Sequence, residues 1–216
     1  MTSLLQVLPD NPKIRSLTNH LLSEWQNYKT YENPSFNTHQ LICAIIYSAH
    51  QHANQVRKDK ESTPYIIHPL EVCNNLWEVG QVRNANILMS AILHDTLEDT
   101  LATEDEIQKY FGQRVLITVK EVTNAPNLSS DENKQCQIDH VPCMSQDARL
   151  VKLADRLANI TDLNTNPPSS WTSQKIENYF TWGEKLLAAL RGTNHQLETM
   201  LKKMIEDHST SKEVRQ

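Results

Sequence analysis

The sequence predicts an all-α protein that folds as a single helical bundle. In nearly every periodic segment apolar residues recur at i, i+3, i+4 and i+7, which places them on one face of a helix, rather than alternating strictly as in a strand. The chain has 216 residues, of which 38% are hydrophobic. A chain of this length and composition can bury one sizeable core without disulfide bonds or a structural metal.

Each predicted helix follows from its apolar face and from the residues at its ends. Asn33 and Pro34 lie in a linker that breaks the chain after the first helix. Pro69 suits a helix start, because proline is tolerated in the first turn. Thr103 and Glu106 form a capping box at the start of a short helix. The predicted helices cover about 11–29, 37–55, 69 onward, 84–100, 103–111, the stretch after Gly112 through 122, 147–162, 171–191 and 193 onward.

One long loop and three regions complete the predicted organisation. Residues 124–146 are polar and weakly periodic, so they are predicted to form the long loop, a kind of segment that is usually functional or mobile. Residues 1–35 are expected to form an N-terminal helical extension and residues 36–207 the main domain. Residues 208–216 are expected to be a frayed tail.

Composition excludes several classes of function. The formal net charge of −5 and the pI near 6.0 argue against nucleic-acid binding, which needs clustered Lys and Arg. The chain has no apolar run long enough to span a membrane and no signal peptide, so we expect a cytoplasmic protein without a membrane partner. The four cysteines form no C-x-x-C pair and are expected to be reduced thiols. A small anionic substrate remains compatible with this charge, because a bound metal can supply positive charge.

The strongest local signal is the octapeptide LHDTLEDT at residues 93–100. On a helix, His94 lies beside Glu98 and Asp95 beside Asp99, because residues four apart share a face. Four ionisable groups therefore crowd one end of an otherwise apolar helix, which is costly unless they are paired or bind a metal. The alternative interpretation is a solvated helix end with an acidic cluster and a structurally satisfied histidine.

Two further segments complete a possible metal site. His68 lies in TPYIIHP where an apolar loop meets a helix start, and Asp155 lies in VKLADRLANI one turn before Asn159. Taken singly, His68 could be a structural histidine and Asp155 the partner of a neighbouring Lys or Arg. Together with His94 and Asp95 they offer two imidazoles and two carboxylates. This donor set suits manganese, iron or zinc better than calcium, which prefers oxygen ligands.

Six ordered motifs resemble the hydrolase domain of the RelA/SpoT family, which belongs to the HD metal-dependent phosphohydrolase superfamily. Two later segments, W-x7-Y-F-x-W at 171–182 and L-R-G-T-N-x-Q-L-E at 190–198, resemble its stand-alone members, the metazoan SpoT homologues and the bacterial small alarmone hydrolases. The resemblance covers about residues 37–205. The six motifs are H-x-x-Q-x-R-K (52–58), T-P-Y-I-x-H-P (63–69), L-H-D-T-x-E-D-T (93–100), F-G-x-x-V (111–115), E-V-T (121–123) and K-L-A-D-R-L-x-N (152–159).

The resemblance implies a role for ten residues. Two of them, Glu98 and Asp99, are implied to position and activate the attacking water. His50 and His52 are not implied as ligands and are interpreted as a polar pair at a helix end. One manganese ion per chain is implied to be held by His68, His94, Asp95 and Asp155. Substrate contacts are implied for Arg57 and Lys58 at the base and for Asn159 and Tyr179 beside the ribose and phosphates. Lys175 lies one turn before Tyr179, and from this position its side chain is expected to reach a phosphate.

The activity that the resemblance implies is manganese-dependent hydrolysis of the alarmones of the stringent response, ppGpp and pppGpp. Guanosine 3′-diphosphate 5′-di- or triphosphate would yield GDP or GTP and pyrophosphate. One alternative keeps the site but changes the substrate, to removal of the 2′-phosphate of NADPH or hydrolysis of another nucleotide. A non-catalytic nucleotide sensor is disfavoured, because all four ligands and the Glu-Asp pair are present. The 124–146 segment is poor in basic residues, which could change substrate preference.

Overall fold

The computed structural model describes residues 6–125 and 127–213, the last three of these as backbone only. The regular secondary structure in this part of the chain is helical. The described residues form no β-strand, only an isolated β-bridge between Val56 and Pro64. The predicted all-α class is confirmed. The helices are α1 (Pro12–Tyr31), α2 (Thr38–Gln51), α3 (Ile67–Asn74), α4 (Ala85–Leu93), α5 (Thr96–Asp99), α6 (Glu104–Phe111), α7 (Gln113–Val122), α8 (Ser130–His140), α9 (Gln146–Thr165), α10 (Ser173–Ala189) and α11 (His195–Glu213).

Helix α9 lies at the centre of the bundle, where it packs against α3, α4, α7, α10 and α11. Besides its apolar side chains it buries the charged residues Lys152, Asp155 and Arg156. Burial of charge is unfavourable unless each group finds a partner. The centre of the bundle is therefore where a polar site is to be sought.

None of the described helices is long and apolar enough to cross a membrane.

Helix α1 is part of the same core as the helices that follow it. Its Ile14, Leu21 and Trp25 are 0% exposed, and α1 packs against α2 and α3. Asn11 caps the helix start, since its side chain accepts hydrogen bonds from the backbone N–H groups of Lys13 and Ile14. The segment before residue 36 is thus joined to the main core by an extensive apolar face. The boundaries predicted at residues 35 and 207 stay predictions.

The predicted long loop at 124–146 is wrong for most of its length. Residues Ser130–His140 form α8, and Val141–Cys143 form a 3-10 turn. Ser129 and Glu132 make a capping box, which is the one sequence signal that indicated this helix. No residue of α8 is buried, so it has no apolar face from which periodicity could be recognised.

The predicted continuous helix over 84–100 is interrupted at His94 and Asp95. Nδ1 of His94 lies 2.8 Å from the carbonyl oxygen of Ala91, and the Thr96 hydroxyl donates to that of Leu93 at 2.6 Å. These side chains occupy carbonyls that a continuous helix would use, so α4 ends at Leu93. The C-terminal helix, in contrast, continues to Glu213, beyond the frayed tail expected from residue 208.

Replacing Trp25 tests whether α1 belongs to the core. We expect Trp25→Ala to lower the free energy of unfolding by about 3–5 kcal/mol, because a large buried side chain leaves a cavity. The matched control is Tyr31→Ala at the end of the same helix, where the side chain is 82% exposed and the change should stay within about 0.5 kcal/mol. Denaturant unfolding followed by circular dichroism measures both. Equal effects of the two substitutions would contradict the shared core.

Candidate active site

The four predicted metal ligands come together at the centre of the bundle. His68 lies in the first turn of α3, His94 and Asp95 follow α4, and Asp155 lies midway along α9. Nε2 of His68 is 3.2 Å from Oδ1 of Asp155, and Nε2 of His94 is 3.1 Å from Oδ2 of Asp95. The ligand atoms of His68, His94 and Asp155 all lie within 4.8 Å of one another. Residues separated by 87 positions in sequence therefore form one compact cluster.

The backbone orients His94 towards this cluster. Its Nδ1 is 2.8 Å from the carbonyl oxygen of Ala91, which can only accept, so Nδ1 carries a proton. Nε2 is buried without a hydrogen-bond partner among the described residues, although two carboxylates lie nearby. A second partner on the distal nitrogen is the usual way in which proteins orient a metal-binding histidine. Two imidazoles and two carboxylates with an unpaired buried nitrogen fit a divalent metal ion.

The carboxylates of the cluster are held ionised. Burial opposes ionisation, but His94 holds the pKa of Asp95 below its usual range, and His68 and Arg156 do the same for Asp155. Burial would lower the pKa of His94, but Asp95 and Asp155 together raise it to about 9.

A cavity of about 510 Å³ lies beside the cluster. This volume is in the range of ligand pockets in proteins, roughly 300–1,000 Å³. Four of the five predicted substrate residues line it, namely Arg57, Lys58, Asn159 and Tyr179. The fifth, Lys175, does not line it: its Nζ lies 4.5 Å from the ring centroid of Trp171, which is part of the wall.

Tyr65 connects the cavity to the cluster. Its ring is part of the cavity wall, and its hydroxyl donates to Oδ2 of Asp95 at 2.7 Å. Burial raises the pKa of Tyr65 far above its usual value, so the hydroxyl keeps its proton and remains a donor. A group bound in the cavity would thus lie beside the phenol whose hydroxyl is hydrogen-bonded to the predicted metal ligand Asp95.

The two carboxylates predicted to act on water have different surroundings. Asp99 lines the cavity, and burial together with the charges of Asp95 and Glu98 raises its pKa to about 6. Glu98 is not part of the wall. Its two carboxylate oxygens accept hydrogen bonds from the backbone and side-chain N–H groups of Asn124, both at 2.9 Å. Asp99 is therefore the better placed of the two to exchange a proton with a group in the cavity.

Arg57 is bound within the wall of the cavity. Its guanidinium donates to Oδ2 of Asp162 at 2.6 Å and to Oδ1 of Asn159 at 3.1 Å. The side chain is only 17% exposed. Asp162 was not predicted, although its position seven residues after Asp155 places it on the same face of α9. Further wall residues that the sequence analysis did not select are Gln55, Tyr65 and Trp171.

Comparison with known proteins assigns the fold and the group of relatives. The sequence model of the HD domain matches residues 44–180. Proteins named guanosine-3′,5′-bis(diphosphate) 3′-pyrophosphohydrolase MESH1 are 45% identical in Xenopus tropicalis and 42% identical in Mus musculus. These alignments cover 77% and 78% of this chain and 93% and 94% of the relatives.

Solved structures agree with this assignment. A structure described as a metazoan ortholog of SpoT that hydrolyzes ppGpp has a TM-score of 0.76 at 37% identity, with 78% of this chain and 95% of that chain covered. The protein lmo0812 from Listeria monocytogenes, at 23% identity and a TM-score of 0.55, covers 64% of this chain and 96% of its own and shares the fold.

The chain therefore belongs to the HD domain family. Within that family it groups with the MESH1 relatives, the metazoan homologues of SpoT, as its motifs predicted.

Glu71, a half-buried carboxyl near the site, should make the free energy of unfolding of the protein depend on pH. It lies one turn along α3 from His68, and burial raises its pKa to about 8, with Asp162 adding to the shift. A carboxyl whose pKa is raised by folding contributes stability below its unfolded pKa and loses that contribution as the pH rises through the folded value. The free energy of unfolding should therefore decrease between pH 4.5 and 8 because of this group.

We expect Glu71→Gln to remove this pH dependence. The variant should resemble the parent protein near pH 4.5 and be more stable than the parent at pH 9, because the parent must then bury a charge. Urea unfolding at several pH values measures the difference. The matched control is Glu184→Gln, which replaces an exposed carboxyl on α10. A stability difference for Glu71→Gln that does not vary with pH would contradict the assignment.

Proposed function

We propose that this protein is a metal-dependent (p)ppGpp 3′-pyrophosphohydrolase. The observation that carries the proposal is the junction at Tyr65, where a nucleotide-sized cavity contacts a buried His/Asp cluster through one hydrogen bond of 2.7 Å. A phosphate bound in the cavity would reach the metal site from this side. The names of the MESH1 relatives and the described activity of the metazoan SpoT ortholog supply the substrate, guanosine 3′,5′-bis(diphosphate).

The metal site is proposed to consist of His68, His94, Asp95 and Asp155. A divalent ion held by these residues supplies two things, polarisation of a phosphoryl oxygen and a bound water of lowered pKa. The mixed nitrogen and oxygen donor set suits manganese, iron or zinc. The resemblance to the RelA/SpoT hydrolases favours manganese among these, with one ion per chain. Tyr65 orients Asp95, and Asn159 orients Asp155 by donating to its Oδ1 at 2.6 Å.

Substrate binding is assigned to the cavity wall. Arg57 and Lys58 are proposed to contact the base of the nucleotide. Phosphates, which a protein with a net charge of −5 otherwise repels, would be neutralised by the metal together with nearby Lys or Arg side chains. Tyr179 offers a ring for contact with the nucleoside. The ammonium group of Lys175 lies over the ring of Trp171 in the cavity wall, and from there it can bind a phosphate that extends from the cavity.

The proton steps follow from the positions of the carboxylates. Water attacks the phosphorus attached to the 3′-oxygen, and Asp99 accepts the proton that this water loses. The bond between that phosphorus and the 3′-oxygen breaks, and the 3′-oxygen takes up a proton, so the products are GDP or GTP and pyrophosphate. Glu98 contributes by holding Asn124 and by adding its negative charge near Asp99.

The activity test compares ppGpp with NADPH. Purified protein loaded with Mn²⁺ should release pyrophosphate and GDP from ppGpp at a rate well above that of phosphate release from NADPH. Removal of the metal with a chelator should abolish the reaction, and Mn²⁺ should restore it. Turnover of NADPH alone would overturn the proposal in favour of a 2′-phosphatase.

Asp155→Asn tests the metal site separately from turnover. The substitution keeps the shape of the side chain but removes the charge, and we expect loss of tight Mn²⁺ binding by calorimetry together with loss of activity. The matched control is Asp162→Asn, which lies two turns further along α9 and should retain the metal. Full Mn²⁺ affinity in Asp155→Asn would exclude this residue from the ligand set.

Asp99→Asn and Glu98→Gln separate the roles of the adjacent carboxylates. We expect Asp99→Asn to lower kcat by roughly 100-fold or more, in the range of lost general-base catalysis, while Mn²⁺ binding is retained. Glu98→Gln should have the smaller effect, because its carboxylate is occupied by Asn124. A larger loss of kcat in Glu98→Gln would reverse the assignment of the two roles.

A further inference from the structure

His52 and Gln55 form a hydrogen-bonded connection between the acidic and basic sides of the active site. His52 directly follows α2, at a helix end as the sequence indicated, and it is buried with 2% exposure. Gln55 follows three residues later, and its side chain lines the cavity. Neither residue touches the cluster of metal ligands by a hydrogen bond, and the reaction steps above use neither.

The hydrogen bond between the two side chains fixes the protonation of His52. Nδ1 of His52 lies 2.7 Å from Oε1 of Gln55. An amide oxygen only accepts, so Nδ1 must carry the proton and donate it. Burial lowers the pKa of His52, which favours a neutral ring with one N–H group. Its other nitrogen, Nε2, is buried and has no hydrogen-bond partner in the part of the chain that the structure describes.

The same hydrogen bond fixes the orientation of the Gln55 amide. With Oε1 towards His52, Nε2 points to the other side and donates to the backbone carbonyl of Asp99 at 2.5 Å. Asp99 is the last residue of α5, where carbonyl groups lack partners within the helix. The Gln55 side chain therefore caps the C-terminus of this short helix by binding the backbone carbonyl of Asp99, the proposed general base.

The backbone of Gln55 also pairs with the loop that carries Arg57 and Lys58, called the basic loop below. Its own carbonyl accepts a hydrogen bond from the backbone N–H of Tyr65 at 2.9 Å. The next residue, Val56, forms the isolated bridge with Pro64, and the N–H of Arg57 donates to the carbonyl of Thr63 at 2.8 Å. Through its backbone and side chain, Gln55 thus connects the loop that presents Arg57 to the helix end that presents Asp99.

We propose that His52 and Gln55 are positioning residues that set the distance between Asp99 and the basic loop of Arg57 and Lys58. His52 acts only through Gln55, by holding the amide in the orientation that donates to Asp99. The inference rests on the proposed function for the role of Asp99. The hydrogen-bond relay itself can be tested without any substrate.

Three single variants test the relay. Gln55→Met keeps the size of the side chain but removes the C=O and the NH2 of its amide. Because Gln55 is half-buried at the cavity wall, this substitution leaves the core intact. His52→Asn retains a donor, because the side-chain nitrogen of Asn is bonded to Cγ as Nδ1 of His is. His52→Leu fills similar space without a donor. The double variant His52→Leu/Gln55→Met completes the cycle.

The expected kinetic result is a loss of kcat without a loss of metal. Gln55→Met should lower kcat with ppGpp by about 10- to 100-fold, because misplacement of a catalytic group by about 1 Å has this effect. His52→Leu should give a similar loss, and His52→Asn should restore kcat to within about threefold of the parent protein. The double variant should be no slower than Gln55→Met, because two residues acting in series are not additive. Mn²⁺ affinity should be unchanged throughout.

The substrate-free test uses NMR of protein labelled with ¹⁵N in its Gln side chains and without paramagnetic metal. The signal that Gln55→Met removes is that of the Gln55 amide. It should shift in His52→Leu and stay near its original position in His52→Asn. A position independent of residue 52 overturns the relay, as do additive losses of kcat or an equal loss of Mn²⁺ affinity. If ppGpp is not hydrolysed by the parent protein, the proposed function fails, and the amide signal still decides the relay.

Discussion

Burial of charge at the centre of an α-helical bundle is the constraint on which this structure depends. Helix α9 places Lys152, Asp155 and Arg156 in the core, and each must be matched by a partner from another element. Lys152 donates to the carbonyl of Val122 at 3.0 Å, and the guanidinium of Arg156 lies 3.8 Å from the ring centroid of Trp182 and donates to the hydroxyl of Tyr179. Uncompensated, such groups would destabilise the fold by several kcal/mol each. The helices around α9 are therefore arranged by polar partners as well as by apolar packing.

A second set of polar contacts joins the His/Asp cluster to the cavity. Asn159 donates to Asp155 and accepts from Arg57, which in turn donates to Asp162 in the cavity wall. Tyr65 makes the corresponding connection to Asp95 on the other side. Linked hydrogen bonds in a site of low dielectric polarise one another and restrict rotation. The side chains that would touch substrate thus have little freedom to move independently of those that would hold the metal.

Helix α8 packs on the bundle with little apolar surface, chiefly the partly buried side chain of Ile138. It has no buried residue, and its contact with α10 includes a hydrogen bond from Nε1 of Trp182 to the carbonyl of Lys134 at 3.1 Å. The segment contributes no basic side chain to the cavity wall. The basic side chains of the cavity wall are instead Arg57 and Lys58, which lie in the loop after α2.

Local patterns in the sequence predicted the helical class, most helix positions and the membership of the family, because helical periodicity and ordered motifs are local properties of the chain. The sequence also selected His68, His94, Asp95 and Asp155 from their residue types, and Arg57, Lys58, Asn159 and Tyr179 by resemblance. Only the tertiary structure brings the four predicted metal ligands together, because they come from three places, namely α3, the end of α4 and α9. It also decided what no pattern indicated: the burial of His52, the pairing of Gln55 with Asp99, and the different surroundings of Glu98 and Asp99. Those features depend on which residues distant in sequence become neighbours, and periodicity carries no information about that.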